Sequence, residues 1–229
     1  MSPSRIKARR VAQSESMAAL DWDHNAYYHR LLLRHLPCPC NRVLDVGCGA
    51  GAFAVELARR AEHVDALDRS PVMIEEAKRV APPNVTCILA DVRHEPLPDA
   101  RYDAIVSISA LHHIPLDEVL PRLAGALRPG GVLVAAALPW HDLPQELPAE
   151  LTAAIGHRLF GAVFAILRAR GRGRWYAKEP SHAIMPVVLD PSLTTRQVRQ
   201  QASALLPGAH VRRLVFWRYF LLWQKPIET

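Results

Sequence analysis

Val43-Leu44-Asp45-Val46-Gly47-Cys48-Gly49-Ala50-Gly51 is the stretch that decides how this chain is read. An apolar run suited to a strand ends in three glycines at alternate positions, and a helical stretch follows from about Ala52 to Ala61. Glycine at such a turn lets the backbone bend sharply and lets a ligand approach the main chain with no Cβ in the way. The helix beyond begins with N–H groups that lack intrahelical partners. The same glycine pattern also serves as a plain strand-to-helix link. Its neighbours have to decide between the two.

Three acids lie near it. Asp45 stands just before the glycines, where a carboxylate faces an ammonium group and repels a pyrophosphate. Asp68 closes a second apolar run, 17 residues after Gly51, and an acid there accepts from both hydroxyls of a ribose. Asp91 follows a third run in Leu89-Ala90-Asp91-Val92; it accepts from an adenine amino group while the next backbone N–H serves a ring nitrogen. Each alone is also a solvated loop acid or a helix cap. Together they describe a nucleoside that carries an amine.

The chain around these acids alternates strand and helix. Strands are expected at Arg42–Val46, Val64–Leu67, Val85–Leu89, Ala104–Ile108 and Val132–Leu138. Between them, a helix starts at Ser70-Pro71, and another runs from about Leu116 to Leu127 and stops at Pro129-Gly130-Gly131. This rhythm predicts a doubly wound parallel α/β sheet with helices on both faces. Residues 17–36 read as a helix, 142–193 as an insertion after the fifth strand, Thr194–Leu206 as a last helix, and 209–224 as two closing strands. The organisation is a loose basic arm and cap helix (1–36) followed by one domain (37–229).

Four segments in order, VLDVGCGAG (43–51), ALDRS (66–70), LADVRHEPLPDARYDAIVSISALHHI (89–114) and LRPGGVLV (127–134), resemble the class I S-adenosylmethionine-dependent methyltransferases. The resemblance spans about residues 40–138 and implies a Rossmann-like sheet of seven strands, the last one antiparallel, with S-adenosylmethionine as cofactor. It implies that Gly47, Gly49 and Gly51 cradle the methionine part, that Asp45 helps hold its amino group, and that Asp68 binds the ribose. Asp91 and Val92 would flank the adenine, Arg69 and Leu111 would wall the adenine and sulfonium sides, and Ser109 would stand beside them after the fourth strand.

Methyl transfer from a sulfonium is an in-line displacement, so the protein mainly aligns the partners and removes a proton where the acceptor needs it. His112 and His113, just after the fourth strand, are the expected bases. The alternative is a pair packed against, or capping, the following helix. Tyr27, with Tyr28, is placed over the cofactor's methionine carboxylate or beside the acceptor, or else anchors the first helix in the core. Trp140, His141, Trp175 and Tyr176 are assigned to the acceptor pocket, His141 also reading as a loop residue. In the insertion Leu147, Leu151, Ile155, Leu159 and Val163 recur every four residues, Ile166 and Leu167 continue the row, Phe160 and Phe164 widen the apolar face, and Arg158, Arg168, Arg170, Arg172 and Arg174 supply positive charge. That stripe is expected as a lid over an apolar acceptor or buried in its own core, with an interfacial helix on an anionic membrane as the other reading.

The 229 residues, half of them hydrophobic, suffice for one full core. The net charge of +6 suits an acidic partner, but no aromatic-plus-basic RNA module accompanies it, so nucleic acid is not expected. The longest strongly apolar stretch, Leu159–Leu167, is too short to span a bilayer, which leaves weak membrane association open. Cys38, Cys40, Cys48 and Cys87 lack metal or disulfide spacing and read as reduced thiols of a cytoplasmic protein; no metal is expected. The reading is a methyltransferase for the O, N or C atom of a small organic acceptor, with secondary metabolism as its setting. A quinone- or lipid-directed enzyme, a peptide carboxyl methyltransferase, and a protein that binds the cofactor without turnover are the alternatives.

Overall fold

The central strands carry hydrophobic side chains on both faces, which is what a parallel sheet covered by helices demands. A computed structural model describes residues 22–140, 143–171, 173, 176–177 and 191–227, and of 143–151 the backbone alone. Its seven strands are β1 (Arg42–Val46), β2 (His63–Asp68), β3 (Val85–Leu89), β4 (Tyr102–Ile108), β5 (Leu127–Ala137), β6 (His210–Leu214) and β7 (Arg218–Gln224). They lie in the order β3-β2-β1-β4-β5-β7-β6. β1 to β5 pair in parallel, and β7 runs antiparallel to both β5 and β6. The seven-stranded Rossmann-like sheet expected from the sequence is therefore present.

The helices are α1 (His24–Leu33), α2 (Ala52–Leu57), α3 (Pro71–Val80), α4 (Leu116–Ala126), α5 (Leu143–Ala169) and α6 (Thr195–Leu205). Side chains alternate faces along each strand, so the sheet feeds two cores. Leu44, Ile105, Leu133 and Leu221 pack with α4 and α6; Val43, Val106, Val134 and Phe220 pack with α1, α2 and α3. Local chemistry starts the helices where the sequence signals them. Ser70 caps α3 with Pro71 behind it, and Thr194 with Gln197 forms a capping box on α6. β5 begins at Leu127, earlier than expected: Pro129-Gly130-Gly131 lies inside the strand, where the pairing with β4 shifts register.

The expected burial of the insertion stripe is corrected at Ile155, Leu159 and Val163, while the side chains of Leu147 and Leu151, with Arg172 and Arg174, lie outside what is described. α5 does form, but Ile155 and Leu159 are 66% and 65% exposed, and Val163 and Ile166 also face outward. The helix packs through Ala153, Gly156 and Phe164, one of the two rings expected to widen the apolar face, while the other, Phe160, is 38% exposed. A Cβ on Gly156 would stand 3.2 Å from the Phe216 ring, and Phe160 and Phe164 join a ring cluster around Trp22 and Phe216. Rings are the larger apolar payload, and Phe164 took the inner face. The apolar stretch is also longer than Leu159–Leu167: Thr152–Ala169 is long and apolar enough to cross a membrane by length and composition, with 17% of it buried.

Candidate active site at the carboxyl ends of the strands

In an open parallel sheet the strand ends leave a crevice where the order reverses. Here the reversal lies between β1 and β4, and a cavity of about 850 Å³ opens above it. The glycine turn forms its floor. Gly47, Gly49 and Gly51 all have positive φ, and the N–H groups of Gly47 and Cys48 donate to the Leu67 carbonyl at 2.8 and 3.0 Å, tying the turn to the end of β2. A Cβ on Gly47 would sit 2.2 Å from the Ala110 Cβ, so only glycine lets the β1 turn and the β4 end lie this close. Gly47 and Gly49 line the cavity; Gly51 does not, and its missing Cβ is 3.1 Å from Ala77 of α3, a packing role.

One half of the cavity carries two of the three acids, Asp68 and Asp91. Asp68 Oδ2 accepts from Gly49 N at 2.9 Å and Oδ1 accepts from Ser70 N at 2.8 Å. Two backbone donors aim that carboxylate and leave one lone pair on each oxygen. Arg69 lines the wall beside it. Asp91 is taken up by Arg93: the side chain and backbone N–H of Arg93 engage both of its oxygens, Nη2 at 2.6 Å, and hold its pKa down at about 2. Val92 lines the cavity next to it. Asp45 does not line the cavity; it lies in β1 behind the glycine turn. It is 1% exposed, its Oδ2 has no partner, and burial with the nearby Asp68 charge pushes its pKa up to about 8.

The other half is built by β4, β5, β7 and α1. Ser109 holds a strained φ of 53° and donates its Oγ–H to Asn25 Oδ1 at 2.7 Å. Arg218 Nη2 donates to the same oxygen at 3.0 Å, and Nη1 donates to the Trp217 carbonyl at 3.2 Å. Arg218 Nε is buried without a partner, and burial lowers the group only to about 10, so it is a cation at neutral pH. His112 and His113 line this half with ring centroids 3.8 Å apart. Burial first, then the neighbouring His113 and Arg218, lower His112 to about 3; burial and Arg69 also lower His113. His112 Nδ1 is buried and unpartnered. Leu138, Pro139, Trp140, Pro191 and Trp217 give this half apolar walls.

The structure thus brings Gly47, Gly49, Asp68, Arg69, Asp91, Val92, Ser109, His112, His113 and Trp140 to one cavity. Leu111 is fully buried in the core behind it. The tyrosines stand elsewhere. Tyr28 is buried and donates to the Val215 carbonyl, and Tyr27 and Tyr176 belong to the ring cluster beside Phe160 and Phe164. His24 and Asn25 of the same helix reach the cavity instead. His141 and Trp175 lie outside the described residues, as does the arm before Trp22. Arg218 and Asn25 were not among the residues singled out. One signal for Arg218 was legible: a lone cation within the apolar run Leu214 to Trp223.

A fold with this switch point, this glycine turn and acids at three strand ends defines the class of protein. The chain belongs to the class I S-adenosylmethionine-dependent methyltransferases. Residues 43–131 match the family model described as a methyltransferase domain. An uncharacterized methyltransferase of Mycobacterium tuberculosis is 35% identical over 208 residues, covering 90% of this chain and 98% of its own. A ubiquinone biosynthesis O-methyltransferase of Methylocella silvestris is 37% identical over 111 residues, 46% of this chain and 43% of that one. Among solved structures, the DhpI-SAM-HEP complex has the same fold with a TM-score of 0.57, at 20% identity, over 99% of this chain and all of that one.

Proposed function

We propose that this chain binds S-adenosylmethionine over the ends of β1, β2 and β3 and transfers its methyl group to a small organic acceptor held over β4, β5 and β7. The carrying observation is the donor and acceptor set of the first half. A buried carboxylate with an unpartnered oxygen, Asp45, matches an amine; a carboxylate aimed by two backbone N–H groups, Asp68, matches a ribose diol. When bound, S-adenosylmethionine would supply a sulfonium methyl carbon, open to in-line attack by an acceptor lone pair, so that the acceptor–carbon bond forms as the C–S bond breaks and the thioether leaves with its electron pair.

The chain's own share is alignment and exclusion of water. Ser109 and Ala110, pinned against Gly47, fix the point where the two halves meet. The apolar walls around Trp140 and Trp217 keep water from the acceptor. His112 and His113 are the residues available to take a proton. Burial keeps His112 an uncharged, weak base, which suits an acceptor that reaches the site already ionised better than one that must be deprotonated.

Calorimetric titration with S-adenosylmethionine, S-adenosylhomocysteine and NAD tests this reading. Binding of the first two and not the third is expected. Binding of NAD alone, or of none, sinks it. A second reading, a lipid- or quinone-directed methyltransferase, is favoured by the exposed stripe Ile155, Leu159, Val163 and Ile166. Co-sedimentation with anionic liposomes is its check, and a protein that stays in the supernatant ends it.

A further inference from the structure

Arg218 is a buried guanidinium. It is 9% exposed, lines the cavity, and makes no ion pair with any acid among the described residues. Its two terminal nitrogens are steadied by Asn25 Oδ1 and the Trp217 carbonyl, while Nε meets nothing. Asp23, whose charge it feels, caps α1 by accepting from the Asn25 and Ala26 N–H groups. A charge removed from water in this way is costly unless an opposite charge joins it. Guanidinium geometry selects a planar anion, the carboxylate being the common one.

Two carboxylates can reach such a cavity, that of the cofactor's methionine part and one carried by the acceptor. The topology separates them. The acids and glycines assigned to the cofactor stand at the ends of β1, β2 and β3. Arg218 opens β7, the third strand beyond the switch point, next to Trp217 and in the half of the cavity lined by Leu138, Pro139 and Trp140. We infer that Arg218 anchors a carboxylate of the acceptor, so that the acceptor class is an organic acid with an apolar body. Asn25 and Ser109 are then positioning residues: Asn25 Oδ1 receives both the Ser109 hydroxyl and Arg218 Nη2, which links the anchor to the turn where the two halves meet.

The inference rests on the division of the cavity proposed above, and the test separates the two. Protein saturated with S-adenosylhomocysteine is titrated with aliphatic and aryl carboxylates and with their primary amides. Acids are expected to bind at least about tenfold tighter than their amides. In Arg218→Gln that preference is expected to vanish while affinity for S-adenosylhomocysteine stays within about threefold. Arg218→Lys, which keeps the charge, is expected to restore part of the preference, and wild-type protein alone compares acid with amide if either variant fails to fold. No acid binding, or amides bound as well as acids, overturns the inference. So does a variant that loses S-adenosylhomocysteine, since the arginine would then serve the cofactor. Wild-type protein that binds no S-adenosylhomocysteine instead breaks the functional reading itself.

Discussion

At the end of β1, Asp45 keeps a carboxylate oxygen buried without a partner; at the start of β7, Arg218 keeps Nε buried without one. The two orphans lie on opposite sides of the switch point, one an acid that burial keeps protonated until a cation joins it, the other a cation. A folded chain does not leave such groups unmatched at no cost, so each describes what is meant to meet it: a cation over β1, an anion beside β7. The two halves also differ in how their polar groups are held. Asp68 is aimed by two backbone N–H groups, that of Ser70 two residues on and that of Gly49 in the glycine turn 19 residues back. Arg218 is aimed through Asn25, a side chain 193 residues away in sequence. The first arrangement belongs to one strand-helix-strand unit; the second exists only once the sheet has closed.

Substitutions sharpen this contrast in descending order of effect. Gly47→Ala is expected to do most, because it combines a left-handed φ with a Cβ 2.2 Å from that of Ala110. Strain and clash together are expected to cost about 2–5 kcal/mol, read as a lowered melting temperature together with lost titration by S-adenosylhomocysteine. A variant that keeps both would show that the halves do not depend on this contact. Asp68→Ala comes next. Each ribose hydrogen bond lost to a charged group is worth about 1.5–3 kcal/mol, so affinity for S-adenosylhomocysteine should fall by at least tenfold.

Asp45→Asn tests the first orphan through pH. The folded pKa, near 8, lies above the ordinary carboxylate value of about 4. The stability this group contributes is therefore fully present below about pH 4 and is lost as pH rises through 8. An ammonium beside it favours the ionised form, so ligand binding should release a proton and tighten as pH rises from 6 towards 8. In Asp45→Asn both trends should flatten, and the ligand-free melting temperature at pH 8 should rise. Calorimetry in buffers of different ionisation enthalpy measures the proton, and equal proton release by both proteins would refute the assignment. Arg93→Ala should have the smallest effect. It frees Asp91 oxygens engaged by a half-exposed pair, worth at most about 1 kcal/mol, so S-adenosylhomocysteine affinity should rise by no more than about fivefold. A fall would mean that Arg93 itself holds the ligand.

Much of the fold was legible because it is written in short spans. Strand ends, the glycine turn, Ser70-Pro71 and the Asp68 and Asp91 positions each need fewer than ten consecutive residues to be read. The site was legible to the same extent, along the half that β1 to β3 supply. The errors share one origin. The stripe at Ile155, Leu159 and Val163 has true helical spacing, yet spacing names a face without saying which way it turns. Here Ala153, Gly156 and Phe164 face inward because Trp22 and Phe216 wait there. For Tyr28 the chemistry of the side chain leaves site and core anchor equally open, and the structure takes the anchor: the α1 face that enters the core is Tyr28, His29, Leu32 and Leu33, which leaves His24 and Asn25 over the cavity.

The sequence by itself determined the doubly wound sheet, the glycine turn and the acids at the ends of β2 and β3, because backbone geometry and strand polarity place those groups wherever such a unit folds. The tertiary structure alone decided which face of α5 meets solvent, which side chains of α1 overlook the cavity, and that Arg218 lies within 3.0 Å of Asn25 without an ion pair to any acid among the described residues. Those outcomes depend on competition among side chains distant in sequence for the same buried space, and no local pattern records the result of that competition.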